Sequence, residues 1–176
     1  ASDVYKRQPD IKIVDATLRD GGLVNNFRFT DEFVKDLYQT NIKAGVDVME
    51  FGYKADKEMF DVKDFGKWKF CDDEDIRAVV GDNNTDLKIA VMADVGRCNY
   101  KQDIKPRAES PVDVIRVATY INQIPAAVDV IEDAVAKGYE VTCNIMAISN
   151  AQEADIRVAL DLLGTVSYTH LTLPTS

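Results

Sequence analysis

The chain has 176 residues, and its 30 Asp and Glu outweigh 21 Lys and Arg to leave a formal net charge of −9. That balance argues against nucleic acid and anionic membrane surfaces, which both call for clustered basic side chains. No run is long or apolar enough to span a bilayer, no basic start leads into a signal segment, and Cys71, Cys98 and Cys143 show neither metal-ligand spacing nor even pairing, so reduced thiols in a cytoplasmic protein are expected.

Residues 1–8, ASDVYKRQ, resemble the translation of a sequencing adapter and are read as non-native. Ile11–Ala16 reads as a buried strand that ends in Asp15-Ala-Thr-Leu-Arg-Asp-Gly-Gly22. In that octet the aspartate offers a hard oxygen ligand and the arginine a positive fork for an oxyanion. The two glycines are expected to let the backbone turn sharply. Thr30 predicts the cap of a helix with Phe33, Val34 and Leu37 on one face and a left-handed stop at Gly45. Val46–Phe51 is the second strand. Residues 54–70 are charged and aromatic, with Trp68, and read as an irregular insertion that serves as a lid or a packing flap. Asp72–Asp75 opens a helix over Ile76–Val80, and its acids are expected to face water.

Leu87–Ala93 is the third strand, followed by the loop Asp94–Cys98 and a polar stretch over 99–112. Val114–Tyr120 is the fourth strand. Pro125 sits in the first turn of a helix that runs to Gly138, Tyr139–Met146 is the fifth strand, and Gln152–Leu163 is a helix. From Thr165 onward no Asp, Glu, Lys or Arg occurs, and Val166–Thr175 resembles the same adapter read from the other strand. The expected organisation is therefore 1–8 non-native, 9–164 as the N-terminal part of one domain and 165–176 non-native. His170, in the tail, is not expected to carry chemistry.

Strands alternating with helices imply parallel βα units. No Gly-x-Gly-x-x-Gly or Gly-Lys-Ser/Thr phosphate loop appears. Strands three and five are apolar throughout, as expected when both faces are covered. A closed barrel takes typically ~250 residues. The predicted fold is thus α/β, a partial TIM (β/α)8 barrel with about five βα units present and strands six to eight missing. Active sites of such barrels lie at the C-terminal strand ends. Those ends bring together Arg19, Asp20, Glu50, Met92, Asp94, Thr119, Tyr120 and the stretch Asn144–Ser149.

The octet resembles the first-strand signature of the DRE-TIM metallolyase family, and Val48-Met-Glu-Phe-Gly-Tyr53 resembles its second strand with an acid near the end. The family includes hydroxymethylglutaryl-CoA lyase, 4-hydroxy-2-oxovalerate aldolase, condensing synthases and the pyruvate carboxyltransferase domain. The resemblance runs from about Ile11 to Gly164 and is closest to the aldolase catalytic domain branch. It implies that Asp20 is one ligand of a divalent metal, Mg or Mn, in a longer parent. The family's further histidine ligands lie on a sixth strand that this sequence lacks. It implies that Arg19 stabilises an enolate oxygen and that Glu50 orients Arg19 or a metal-bound water. Asp15 and Thr17 are substrate-binding candidates that serve equally well as local backbone partners. Asn144 and Tyr120 are further substrate-binding candidates, with packing as the alternative. Where aldolases of the family carry a histidine, this chain has Leu23, which cannot move a proton.

The expected function is a fragment of a metal-dependent carbon–carbon lyase or aldolase acting through an enolate. The substrate is a small 2-oxo or 3-hydroxy acid or its thioester. A condensing synthase using acetyl-CoA and a non-catalytic ligand-binding barrel are the alternatives. The expected partners are a carboxylic acid or acyl-CoA and no nucleic acid or membrane, with a homo-oligomeric parent left open. The fragment itself is expected to be inactive and to bind no metal.

Overall fold

The structure, a computed structural model, describes residues 11–166 and 170–172. Its strands are β1 (Val14–Asp15), β2 (Val48–Tyr53), β3 (Lys88–Asp94), β4 (Val114–Tyr120), β5 (Glu140–Met146) and β6 (His170–Thr172). The helices are α1 (Thr17–Asn25), α2 (Asp31–Ala44), α3 (Asp73–Val80), α4 (Tyr100–Asp103), α5 (Ile124–Ala136) and α6 (Glu153–Gly164). The sheet runs in the order β1-β2-β3-β4-β5-β6, and every neighbouring pair is parallel. Strands β1 to β5 curl into part of a TIM barrel, as expected.

The alternation of side chains along each strand explains the layering. Met49, Phe51, Ile89, Val91, Ile115, Val117, Val141 and Ile145 belong to one large core with the helices. Their neighbours Val48, Ala90 and Val114 form a separate small cluster on the other face of the sheet. That second face is the barrel interior. Helix α2 begins where Thr30 accepts a hydrogen bond from Phe33 N at 3.3 Å and ends at Gly45, with φ of 72°. Among the described residues no helix is long and apolar enough to cross a membrane.

The first strand departs from expectation. Of Ile11–Ala16 only Val14 and Asp15 join the ladder. This is an edge strand with one neighbour, and Ile11 and Ile13 stay largely exposed. The octet departs too. It folds into α1, so Gly21 and Gly22 continue a helix and make no turn. The reversal comes later, at Asn26 and Phe27, both left-handed with φ of 54° and 61°. The need for glycine at 22 is one of space: a Cβ there would lie 2.1 Å from the buried Phe27 ring.

The insertion over 54–70 behaves as a packing flap. Trp68 is fully buried and lies tilted on Phe51, ring centroids 5.4 Å apart. Its backbone comes so near β2 that a Cβ on Gly52 would sit 1.9 Å from the Trp68 carbonyl oxygen. The acids that open α3 do not all face water. Asp73 is buried and accepts from Lys54 Nζ at 2.8 Å.

Strand β6 lies within the segment read as adapter-like. It pairs His170 with Thr142, Leu171 with Cys143 and Thr172 with Asn144. An open sheet edge offers backbone groups to almost any extended segment, and the assignment of 165–176 as non-native is kept as a proposal. Residues 1–8 lie outside the described residues.

Two outcomes follow from this packing. Gly52→Ala forces side chain into backbone and is expected to cost about 3 kcal/mol, the upper end for overpacking, read as a lowered urea midpoint. Burial pushes the Cys98 thiol up to about 12 and the Cys143 thiol to about 11. Neither is expected to react with a thiol reagent at pH 8 unless the protein is unfolded, and rapid labelling of the native chain would contradict this environment.

Candidate active site

Arg19 projects from the first turns of α1, directly after β1, and its Nε donates to Glu50 Oε2 on β2 at 2.9 Å. Arg116, on β4, donates from Nη1 to the same oxygen at 2.5 Å. One fully buried carboxylate thus holds two guanidiniums. Glu50 Oε1 has no partner among the described residues. The ladder between β2 and β3 shifts register just after Glu50, between Glu50 and Tyr53, an irregularity of the kind that re-aims side chains near active sites.

Asp20 is next to Arg19 and accepts from its Nη1, while its side chain stays 60% exposed at the mouth. Burial works against the charge of Arg19, but Glu50 and Asp20 outweigh it and hold the guanidinium above its ordinary value. Tyr53, the last residue of β2, interacts with Arg19 through its phenol. Burial pushes that phenol up against the pull of the guanidinium. Asp94, at the end of β3, has its carboxyl raised by burial and pulled back by Arg97 and Lys69.

The structure therefore brings together Arg19, Asp20 and Glu50. Asp15 and Thr17 are engaged locally: Asp15 Oδ1 accepts from Thr17 N at 2.9 Å and Oδ2 from Thr17 Oγ1 at 3.1 Å. This pairing opens α1 and so sets the direction in which Arg19 leaves the strand. Tyr120 is half-exposed and lines a separate cleft of about 360 Å³ with Met146, Ala147 and Asn150. Asn144 lies half-buried on β5, level with Ala118 of β4. Leu23 is exposed on α1.

Arg116, Tyr53 and Lys69 escaped sequence reasoning. For Arg116 a signal existed, since it is the single charge inside an otherwise apolar strand. For Lys69 there was none, because its ring partners lie on the α1 reversal, the end of β2 and the flap, which meet only in the fold.

A divalent ion takes several oxygen or nitrogen ligands. Among the described residues no three His, Cys, Asp or Glu side chains converge, and Asp20 already serves Arg19. The residues present do not by themselves fit a metal. What they can do is present cationic N–H donors to a developing oxyanion in a partly desolvated mouth.

The central role of Glu50 can be measured. Glu50→Ala leaves the partly buried Arg116 guanidinium without its carboxylate and Arg19 with Asp20 alone. The expected loss of stability is about 3–5 kcal/mol, the range for breaking a buried ion pair from one side, and an unchanged denaturation midpoint would contradict the arrangement.

No protein-family model matches the chain. A 4-hydroxy-2-oxovalerate aldolase from Rhodococcus jostii is 28% identical over 141 residues, which cover 80% of this chain and 39% of the aldolase. The chain thus spans well under half the length of that curated relative. Among solved structures, the N-terminal domain of a candidate aldolase from Bacteroides vulgatus superposes with a TM-score of 0.60 at 21% identity, over 93% of this chain and 62% of that one. The HMG-CoA lyase from Brucella melitensis does so with a TM-score of 0.57 at 15% identity, over 93% and 60%. At these identities the two structures speak to the fold, and both match the partial barrel. The curated relative is an aldolase, and the chain shares its partial-barrel fold with an aldolase domain and a lyase.

Proposed function

We propose that this chain carries the enolate-stabilising part of a carbon–carbon lyase or aldolase acting on a small 2-oxo or 3-hydroxy acid or its thioester. The observation that carries the proposal is the Arg19–Glu50 bond of 2.9 Å beside the exposed carboxylate of Asp20. When a bond next to a ketone forms or breaks, negative charge gathers on the carbonyl oxygen. Arg19 is held in place by Glu50 before that charge appears, so no reorganisation is needed at the moment of reaction. Glu50 acts here as a positioning residue, and Arg116 shares its carboxylate and adds positive charge to the same wall of the barrel. Asp15 and Thr17 shape the start of α1. Tyr120 and Asn144, on the far strands, are assigned to substrate contact.

A divalent ion is proposed for the longer protein, with Asp20 as one ligand and the others outside residues 1–176. When bound it would supply Lewis-acid polarisation of the same carbonyl. The relatives' names speak for an enzyme, and a small acid or acyl-CoA as partner and a cytoplasmic setting belong to the same proposal.

The decisive experiment is kinetic. In the longer protein, Arg19→Ala is expected to lower kcat by roughly 10²–10³, the usual loss for one oxyanion donor, while metal content stays unchanged. Asp20→Asn is expected to lower metal content and rate together. An Arg19→Ala enzyme with unchanged kcat on every substrate it turns over would refute the reading. The 176-residue chain alone is expected to bind no stoichiometric Mg or Mn by equilibrium dialysis, because it supplies too few ligands.

A further inference from the structure

Among the described residues two lysines are buried, Lys54 and Lys69. Lys54 has its counter-ion, with Asp73 at 2.8 Å. Lys69 has no carboxylate within ion-pair distance among the described residues. Its ammonium lies instead among four aromatic rings, 4.4 Å from the centroid of Phe60, 4.7 Å from Tyr53, 5.1 Å from Phe27 and 5.5 Å from Phe65. The rings favour a cation but offer no strong acceptor to its three N–H donors. Burial draws the amine below the ordinary lysine range; Asp94 counters this from a distance and Arg97 adds to it.

The cage is built and fixed. Lys69 N donates to the Gly66 carbonyl at 3.0 Å, and the Lys69 carbonyl accepts from Ala55 N at 3.2 Å. Phe27 is held by the left-handed reversal after α1. Keeping a buried ammonium with no counter-ion opposes stability, so the arrangement calls for an anion from outside. Its place says which one. Tyr53 forms one wall of the cage and meets Arg19 through its phenol. A single tyrosine thus separates the Lys69 ammonium from the guanidinium of the candidate site.

We propose that Lys69 is the carboxylate-binding residue of this site, its caged ammonium pairing with the carboxylate of an acid whose carbonyl oxygen faces Arg19. The proposal rests on the function inferred above and deepens it: the ligand is a free acid at this end, and the flap that carries Lys69 belongs to the binding site. A neutral thioester end would leave the ammonium as it is now.

Oxalate, an unreactive mimic of a pyruvate enolate, tests this by calorimetry on the 176-residue chain. The wild type is expected to bind it. Lys69→Met, which fills the cage without the charge, is expected to weaken binding by about tenfold or more and to melt no lower than the wild type. Lys69→Arg, which restores a cation, is expected to recover binding. Oxalate bound equally by the wild type and Lys69→Met would overturn the assignment. So would a Lys69→Met protein that is destabilised or unfolded together with a Lys69→Arg protein that does not bind, since the loss would then reflect packing. If Arg19→Ala abolishes binding while Lys69→Met does not, the inference about Lys69 fails and the site at Arg19 stands. If the wild type binds no oxalate, both fail.

Discussion

One buried carboxylate organises the half-barrel. Glu50 is fully enclosed on β2, and an enclosed charge is tolerated only with partners. Those partners arrive from far along the chain, Arg19 from the start of α1 and Arg116 from β4. A single oxygen therefore ties the first, second and fourth strands together across the interior face. If β4 were slipped by one residue against its neighbours, Arg116 would point to the helices and Glu50 would lose a cation. The register of the sheet and the charge of the site are one constraint.

A second constraint is closeness. The flap over 54–70 approaches β2 and the α1 reversal at distances that admit no side chain, at Gly52 under Trp68 and at Gly66 under the Phe27 carbonyl. The close fit lets a short, irregular segment bury a tryptophan and hold Lys69 among rings without a helix or strand of its own. It also explains why the mouth has charged walls and an aromatic rim. The charges come from α1, β2 and β4, the rings from the flap, the end of β2 and the reversal after α1.

The chemistry of the site follows from this division. Arg19 is paired on one side with a buried acid that fixes its direction and on the other with Asp20, which remains open to solvent. The fold alone does not select a reaction. The proposed substrate is chosen by what the walls offer, cationic donors for oxyanions.

Much of this was written in the sequence. Continuous, largely apolar runs gave away β3, β4 and β5 to within a residue, as expected of strands covered on both faces. Thr30 and Gly45 marked the ends of α2 by capping chemistry that is local by nature. Arg19, Asp20 and Glu50 stood out as charges at predicted strand ends, and the structure brings the three side chains together. Local pattern misled at the octet, where two glycines suggested a turn and tertiary packing of Phe27 on Gly22 made them part of a helix. It also misled at Asp73, an acid in a helix's first turn that a distant lysine drew into the interior. The sharing of Glu50 by Arg116 and the ring cage around Lys69 depend on segments that meet only when the sheet curls. No spacing along the chain encodes such meetings, so the kinds of residue at the mouth were set by the sequence and their partners were decided by the fold.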